Sequence, residues 1–329
     1  MGWSASPHQT WGLDTMQPDL PDATRQSRTN DSKLKAFIRF SRPHTIMGTS
    51  CQVFGIFIIV MYGQPLVPAL AGSLLLTWLA SLAANLYVVG LNQVYDVAID
   101  RVNKPTLPLA SGEFSLRTGW IITLLAGLLA LVVAVQQGMI LLLTLLGVMA
   151  LGTLYSVPPL RLKLKPLLAA LSIALARGVV ANLGIYLHFR QDAASPASIS
   201  PLLVSGMLLF FFLFGWVISL YKDIPDWAGD RQFAVRTFAV SLGRARVFQI
   251  GRILIVIMYL LPIGFGILLL PSTQAYLLIA LHAAAVLAIW LASARTDPSQ
   301  PASMMRLYLF LWVLFYLEYL ILVLARLVN

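Results

Sequence analysis

Two stretches of this 329-residue chain repeat one arrangement of acids. The first reads NQVYDVAIDR, Asn92 to Arg101, and the second YKDIPDWAGDR, Tyr221 to Arg231. Both contain Asp-x-x-x-Asp-Arg, at 96/100/101 and at 226/230/231, so every member is offset by 130 residues. Acid is scarce, with only 13 Asp and Glu in all. Four lie in the first 35 residues; of the other nine, six are Asp96, Asp100, Glu113, Asp223, Asp226 and Asp230. Clustered carboxylates repel one another and call for a cation. Carboxylate and amide oxygens suit a hard metal, and Mg2+ typically takes one or two carboxylates, several waters and phosphate oxygens. A diphosphate held through Mg2+ between two Asp groups, with Lys and Arg closing over it, uses every part of the pattern. A single Asp of this kind is usually a solvated helix end, but two matched sets in so acid-poor a chain weigh against that. The lone cysteine, Cys51, excludes an intramolecular disulfide and a multi-cysteine metal site, and its apolar run makes it a small core residue.

The elements that must position these acids are membrane helices. Hydrophobic residues make up 59% of the chain and charged ones 11%, with a mean hydropathy of +0.81. A soluble domain carries about 25% charged residues, so a soluble globular enzyme is excluded. Nine apolar runs reach the roughly 17–25 residues a span needs, near 44–62, 66–91, 118–135, 139–160, 166–189, 202–221, 251–270, 274–292 and 307–326. Joins such as Gly63-Gln64-Pro65 suit antiparallel helical hairpins, and no period-2 alternation argues for strands. Residues 1–35 are polar and predict a disordered N-terminal tail, followed by a single domain over 36–329. No signal peptide is expected there, and the tail acids argue against a transit peptide. The 130-residue offset predicts two related four-helix units, spans 1–4 and 5–8, with a ninth helix appended.

The net charge of +10 follows from topology. Of 23 Lys and Arg, 20 precede span 1 or fall in the joins 2–3, 4–5, 6–7 and 8–9; only Arg190 and Arg326 fall on the other side, and Arg177 is inside span 5. The positive-inside rule puts the N-terminus and the Asp-rich joins on the cytoplasmic side or its equivalent. No nucleic-acid partner is needed to explain the charge.

On a continuous helix, Asn92, Asp96 and Asp100 step by four and share an arc of roughly 80°. The second set is interrupted by Pro225, which predicts a break, with Asp223 capping a new short helix.

These motifs resemble the UbiA superfamily of intramembrane aromatic prenyltransferases over about residues 37–327. Asn92, Asp96 and Asp100 match its Asn-x-x-x-Asp-x-x-x-Asp motif, and Asp223, Asp226 and Asp230 its second Asp-rich motif. The runs NQVYDVAIDRVNKPTLPLASGEFS, RGVVANLGIYLHF and SLYKDIPDWAGDRQFAVRTFAVSLG are similar to the homogentisate prenyltransferases of tocopherol and plastoquinone synthesis. The resemblance implies an all-α membrane protein of nine transmembrane helices around a central cavity. It implies Mg2+-dependent transfer of a polyprenyl group, phytyl or similar, from its diphosphate to homogentisate, with loss of the carboxyl as CO2.

Asp96, Asp100, Asp223, Asp226 and Asp230 would then hold Mg2+, with Asn92 adding an oxygen or a hydrogen bond. Arg42 (in SRPHT), Arg101, Lys104, Arg161, Lys163, Lys222 and Arg231 are candidates to meet the diphosphate. Tyr155 joins that set and, with Tyr95 and the Phe210–Phe214 run, offers aromatic faces to an allyl cation. Arg177, Asn182 and His188 are candidates for the acceptor pocket, because a charge inside a span needs a partner or a wet cavity. His282 and Glu318 are expected to be buried and paired. The host is a plasma membrane or a thylakoid-type membrane. Two rivals stand beside this reading: a related prenyltransferase with a hydroxybenzoate or chlorophyllide acceptor, and an ion-coupled transporter. A transporter would place its acids near helix midpoints, whereas these lie at one helix end on the basic side.

Overall fold

The computed structural model describes residues 33–192, 199–269 and 272–327. Most of the expected N-terminal tail, residues 1–32, lies outside them, and a helix begins at Lys33. Among the described residues there is no strand, and nine helices are long and apolar enough to cross a membrane. They are α1 (Pro43–Met61), α2 (Pro68–Tyr95), α3 (Leu116–Gln137), α4 (Met139–Ser156), α5 (Pro166–Asp192), α6 (Pro201–Asp223), α7 (Arg244–Leu269), α8 (Ser272–Ala294) and α9 (Pro301–Leu327). The chain is an integral membrane protein. Proline opens α1, α2, α5, α6 and α9, where a missing N–H costs nothing.

The helices close into a ring. Neighbours in sequence pack together, α4 packs on α5, and α9 returns to α1; α3 lies against α2 and α4. Leu124, Leu125 and Leu128 on α3 are about 60% exposed, as a lipid-facing surface requires. Apolar burial does not drive helices together in lipid, so close approach depends on small residues. A Cβ on Gly178 would sit 2.5 Å from the Phe212 backbone, and one on Gly215 would sit 2.8 Å from Ala174 Cα. These reciprocal contacts hold α5 against α6.

Four expected boundaries shift. Helix α2 runs on to Tyr95, α4 stops at Ser156, α7 starts at Arg244 and α9 at Pro301. Three of these helices continue past their apolar windows because nothing breaks their hydrogen bonds, whereas α4 stops short because Val157, ahead of Pro158, is extended. The two Asp-rich joins share a local plan: a long helix, an interruption, then a short helix at Val97–Asn103 or Trp227–Gln232. These two short helices pack against each other at one end of the ring.

Candidate active site

The first motif does not lie on one continuous helix, contrary to the spacing argument. Helix α2 ends at Tyr95, and Asp96 leaves helical geometry at φ −113°, ψ 13°. The Asp100 N–H still reaches the Asp96 carbonyl at 2.7 Å, so Asn92, Asp96 and Asp100 stay together across the break. Asp96 is drawn out by several donors: Asn92 Nδ2 at 2.7 Å, Arg161 Nη2 at 3.1 Å and Lys163 Nζ in a close ion pair. Arg42 Nη2 donates to Asn92 Oδ1 at 3.3 Å.

The second motif does break near Pro225, but Asp226, not Asp223, starts the short helix, and its side chain caps nothing. Asp223 ends α6 and accepts from Lys222 Nζ at 2.8 Å; Lys222 also donates to Tyr155 Oη at 2.9 Å. Asp226 is paired with Lys104, whose Nζ is also 4.0 Å from Asp100.

Two arginines have left-handed backbones, Arg42 at φ 50° and Arg161 at φ 36°. Bulky residues rarely adopt this region, and such strain tends to gather at functional sites. Phe40, fully buried beside Val94 and Leu109, anchors the turn that carries Arg42, and Gln93 Nε2 donates to its carbonyl at 2.7 Å.

The five Asp, Asn92, Arg42, Lys104, Tyr155, Lys163 and Lys222 all line one cavity of about 420 Å3. It also takes in His44, Asn103, Thr237 and Tyr308, which sequence reasoning missed. Asn103 ties the two motifs together: its Oδ1 accepts from Gly229 N–H at 2.9 Å and its Nδ2 donates to Asp230 at 3.3 Å. Its place three residues after Asp100 was the available signal. Asn103→Ala should lower turnover about tenfold, with the protein still inserted, because the two Asp sets lose one of their links and keep only the one through Lys104. Turnover assays on membranes matched for protein content check this.

A second, inner chamber of about 210 Å3 adjoins the first, sharing Arg42, Asn92, Tyr155, Lys222 and Tyr308. Arg177 lines it, with Gln52, Asn85 and Trp312.

Other candidates lie elsewhere. Arg101 and Arg231 are exposed and line neither cavity; Arg231 stacks on Trp227 at 5.1 Å. Arg161 lies outside the cavity lining and acts through Asp96. Asn182 is fully buried and satisfied by Gln52, Tyr319 and the carbonyls of Arg177 and Gly178, so it ties helices together. His188 bonds Thr77 at 2.9 Å toward the opposite end of α5 and lines neither cavity. Tyr95 packs edge-on against Trp120. Phe210, Phe211 and Phe214 are core residues, packed with Tyr259, Phe315 and Tyr319. His282 and Glu318 pair as expected, at 3.1 Å.

Burial, reinforced by Asp96 and Asp226, raises Asp100 to about 6 despite Lys104 and Arg42. Burial together with Asp223 and Asp226 raises Asp230 to about 7. The Asp100 Oδ2 atom is buried without a hydrogen-bond partner. Among the described residues no three acid, His or Cys side chains converge to enclose a bare ion. The donor set fits divalent cations held by one or two carboxylates each and completed by water and phosphate.

Among the described residues, nine membrane helices bring two Asp sets together under a rim of Lys and Arg, an arrangement that suits an intramembrane transferase. The chain belongs to the UbiA prenyltransferase family, whose model matches residues 52–314. It is 40% identical over 297 residues to the homogentisate phytyltransferase of Synechocystis sp., covering 89% of this chain and 96% of that one. It is 35% identical to the homogentisate geranylgeranyltransferase of Triticum aestivum, covering 89% and 73%. The fold matches a UbiA homologue from Archaeoglobus fulgidus bound to GPP and Mg2+, with a TM-score of 0.64, 18% identity, and 88% and 99% coverage.

Proposed function

We propose that this prenyltransferase moves a prenyl group from its diphosphate to homogentisate with loss of CO2, as a step in prenylquinone or tocopherol synthesis. The observation that carries this is the cavity itself: five Asp and five cations around a space that continues into a chamber with a cationic inner wall. The named activities of the relatives support the acceptor.

In this reading Asp96, Asp100, Asp223, Asp226 and Asp230 hold Mg2+, which when bound would neutralise the diphosphate and make it a better leaving group. Arg42, Lys104, Lys163 and Lys222 bind phosphate oxygens, and Asn92 keeps Asp96 oriented. The allylic C–O bond breaks with its electrons passing to the diphosphate, and the helices keep water from the allyl cation. The acceptor ring carbon bonds to that cation and sheds a proton, while a proton replaces the departing carboxylate. The basic residues at the Asp-rich end support its facing the cytoplasm or an equivalent compartment.

The deciding assay offers homogentisate, hydroxybenzoate and chlorophyllide with labelled phytyl, geranylgeranyl and solanesyl diphosphates. A prenylated, decarboxylated product from homogentisate is expected. Prenyl transfer to another acceptor alone, or cation flux in liposomes without transfer, overturns the reading.

Metal dependence should carry a pH signature. Asp100 and Asp230 bind protons near neutrality, so protons compete with Mg2+ there. From about pH 8 to about pH 6, the Mg2+ concentration for half-maximal activity should rise about tenfold or more. A requirement that does not change across that window counts against those carboxylates as ligands.

A further inference from the structure

We propose that the inner chamber is the acceptor site, with the acceptor's carboxylate on Arg177 and its ring hydroxyls on Ser81 and Ser156. This rests on the homogentisate reading above and says where and how that molecule is held.

Arg177 sits within the membrane-spanning part of α5, in a seven-residue π-helical stretch, Ala174–Val180. Such wide turns are rare and often mark functional positions. Its guanidinium lies 4.9 Å from the Trp312 ring and 5.8 Å from the Phe315 ring. Its side chain donates to Asn85 Oδ1 at 3.4 Å, and among the described residues no carboxylate is within ion-pair distance. An intramembrane cation with only neutral neighbours calls for an anion.

Three further residues that line the same chamber each carry a buried polar atom without a partner: Ser81 Oγ, Ser156 Oγ and Trp312 Nε1. Their residues are 5%, 0% and 3% exposed. Buried polar groups are nearly always hydrogen-bonded, so three orphans around one small space outline a ligand. One cation, one N–H donor and two hydroxyls match an aromatic acid with two ring hydroxyls.

The other two cations on this chamber also line the Asp cavity: Lys222 is held by Asp223 and Tyr155, and Arg42, on Asn92, is assigned to the diphosphate above. A chamber of about 210 Å3 has room for a single-ring acid. Its shared wall with the Asp-lined cavity would bring the acceptor ring to the diphosphate-bearing carbon.

The test uses the full chain in nanodiscs with Mg2+ and a non-hydrolysable prenyl thiolodiphosphate. Two probes are titrated: 2,5-dimethoxyphenylacetate, which keeps the carboxylate, and methylhydroquinone, which keeps the hydroxyls. Arg177→Met should weaken the arylacetate by about 30-fold or more, and methylhydroquinone and the prenyl ligand by less than about threefold. Arg177→Lys should recover part of the arylacetate binding. Ser81→Ala with Ser156→Ala should give the reverse selectivity, and this conservative pair carries the test if Arg177→Met does not fold. Equal weakening of both probes, or of neither, overturns the placement, as does no selectivity change in the serine variant. If the unmodified protein neither binds nor converts homogentisate, the acceptor reading itself has failed.

Discussion

Membranes carrying Asp226→Ala should lose prenyl transfer by about three orders of magnitude while holding as much protein as the wild type. Asp226 faces the cavity beside the other carboxylates and is paired with Lys104. Its removal takes away a candidate ligand and frees Lys104 to fall back on Asp100, 4.0 Å away. Both changes weaken the positive charge available to the departing diphosphate, where charge develops most in the transition state. Insertion should be unaffected, because Asp226 lies outside every span and caps nothing. Asp96→Ala should be as severe for a related reason. It would leave Arg161 and Lys163 without their shared carboxylate, and Lys163 is only 6% exposed. Turnover of labelled prenyl diphosphate, normalised to protein in the membrane, measures both. Wild-type turnover in either variant, or undiminished turnover in EDTA, would sink the metal assignment.

Lys222→Met should be the next most damaging change, at about 100-fold in kcat. Lys222 lines both the Asp cavity and the inner chamber and donates to Asp223 and Tyr155. Methionine of similar length removes the charge, leaves Asp223 buried without its cation and frees the Tyr155 hydroxyl. Tyr155→Phe, which leaves Lys222 on Asp223, should cost about tenfold or less. Lys222→Arg should lie between the two, since charge is kept and geometry is not. A ranking with Tyr155→Phe as the more damaging substitution would shift the main role from the ammonium to the phenol.

The membrane class, the nine spans and the carboxylates were legible because hydropathy and scarcity act along the chain. A run of apolar residues long enough to cross lipid needs no tertiary partner to declare itself, and six acids in two stretches stand out among so few. The break at Asp96 was not legible: spacing by four reads as an unbroken helix. The pull on that carboxylate comes from Arg161 and Lys163, more than 60 residues away. The aromatic run Phe210–Phe214 had two readings, and packing against Phe315 and Tyr319 from α9 decided for the core.

The cations divide most clearly between what sequence and structure decide. Sequence by itself determined that a basic pool sits on the side of the Asp motifs, because membrane orientation sorts charge by loop. Which members reach the carboxylates only the tertiary structure decided. Arg101 and Arg231 directly follow the last Asp of each motif, yet both point outward. Consecutive residues on a helix diverge by about 100°, so a neighbour in sequence cannot share the face its predecessor turns to the cavity. Lys163, Lys104 and Lys222 meet Asp96, Asp226 and Asp223. Arg177, with no carboxylate in ion-pair range among the described residues, is left facing the inner chamber.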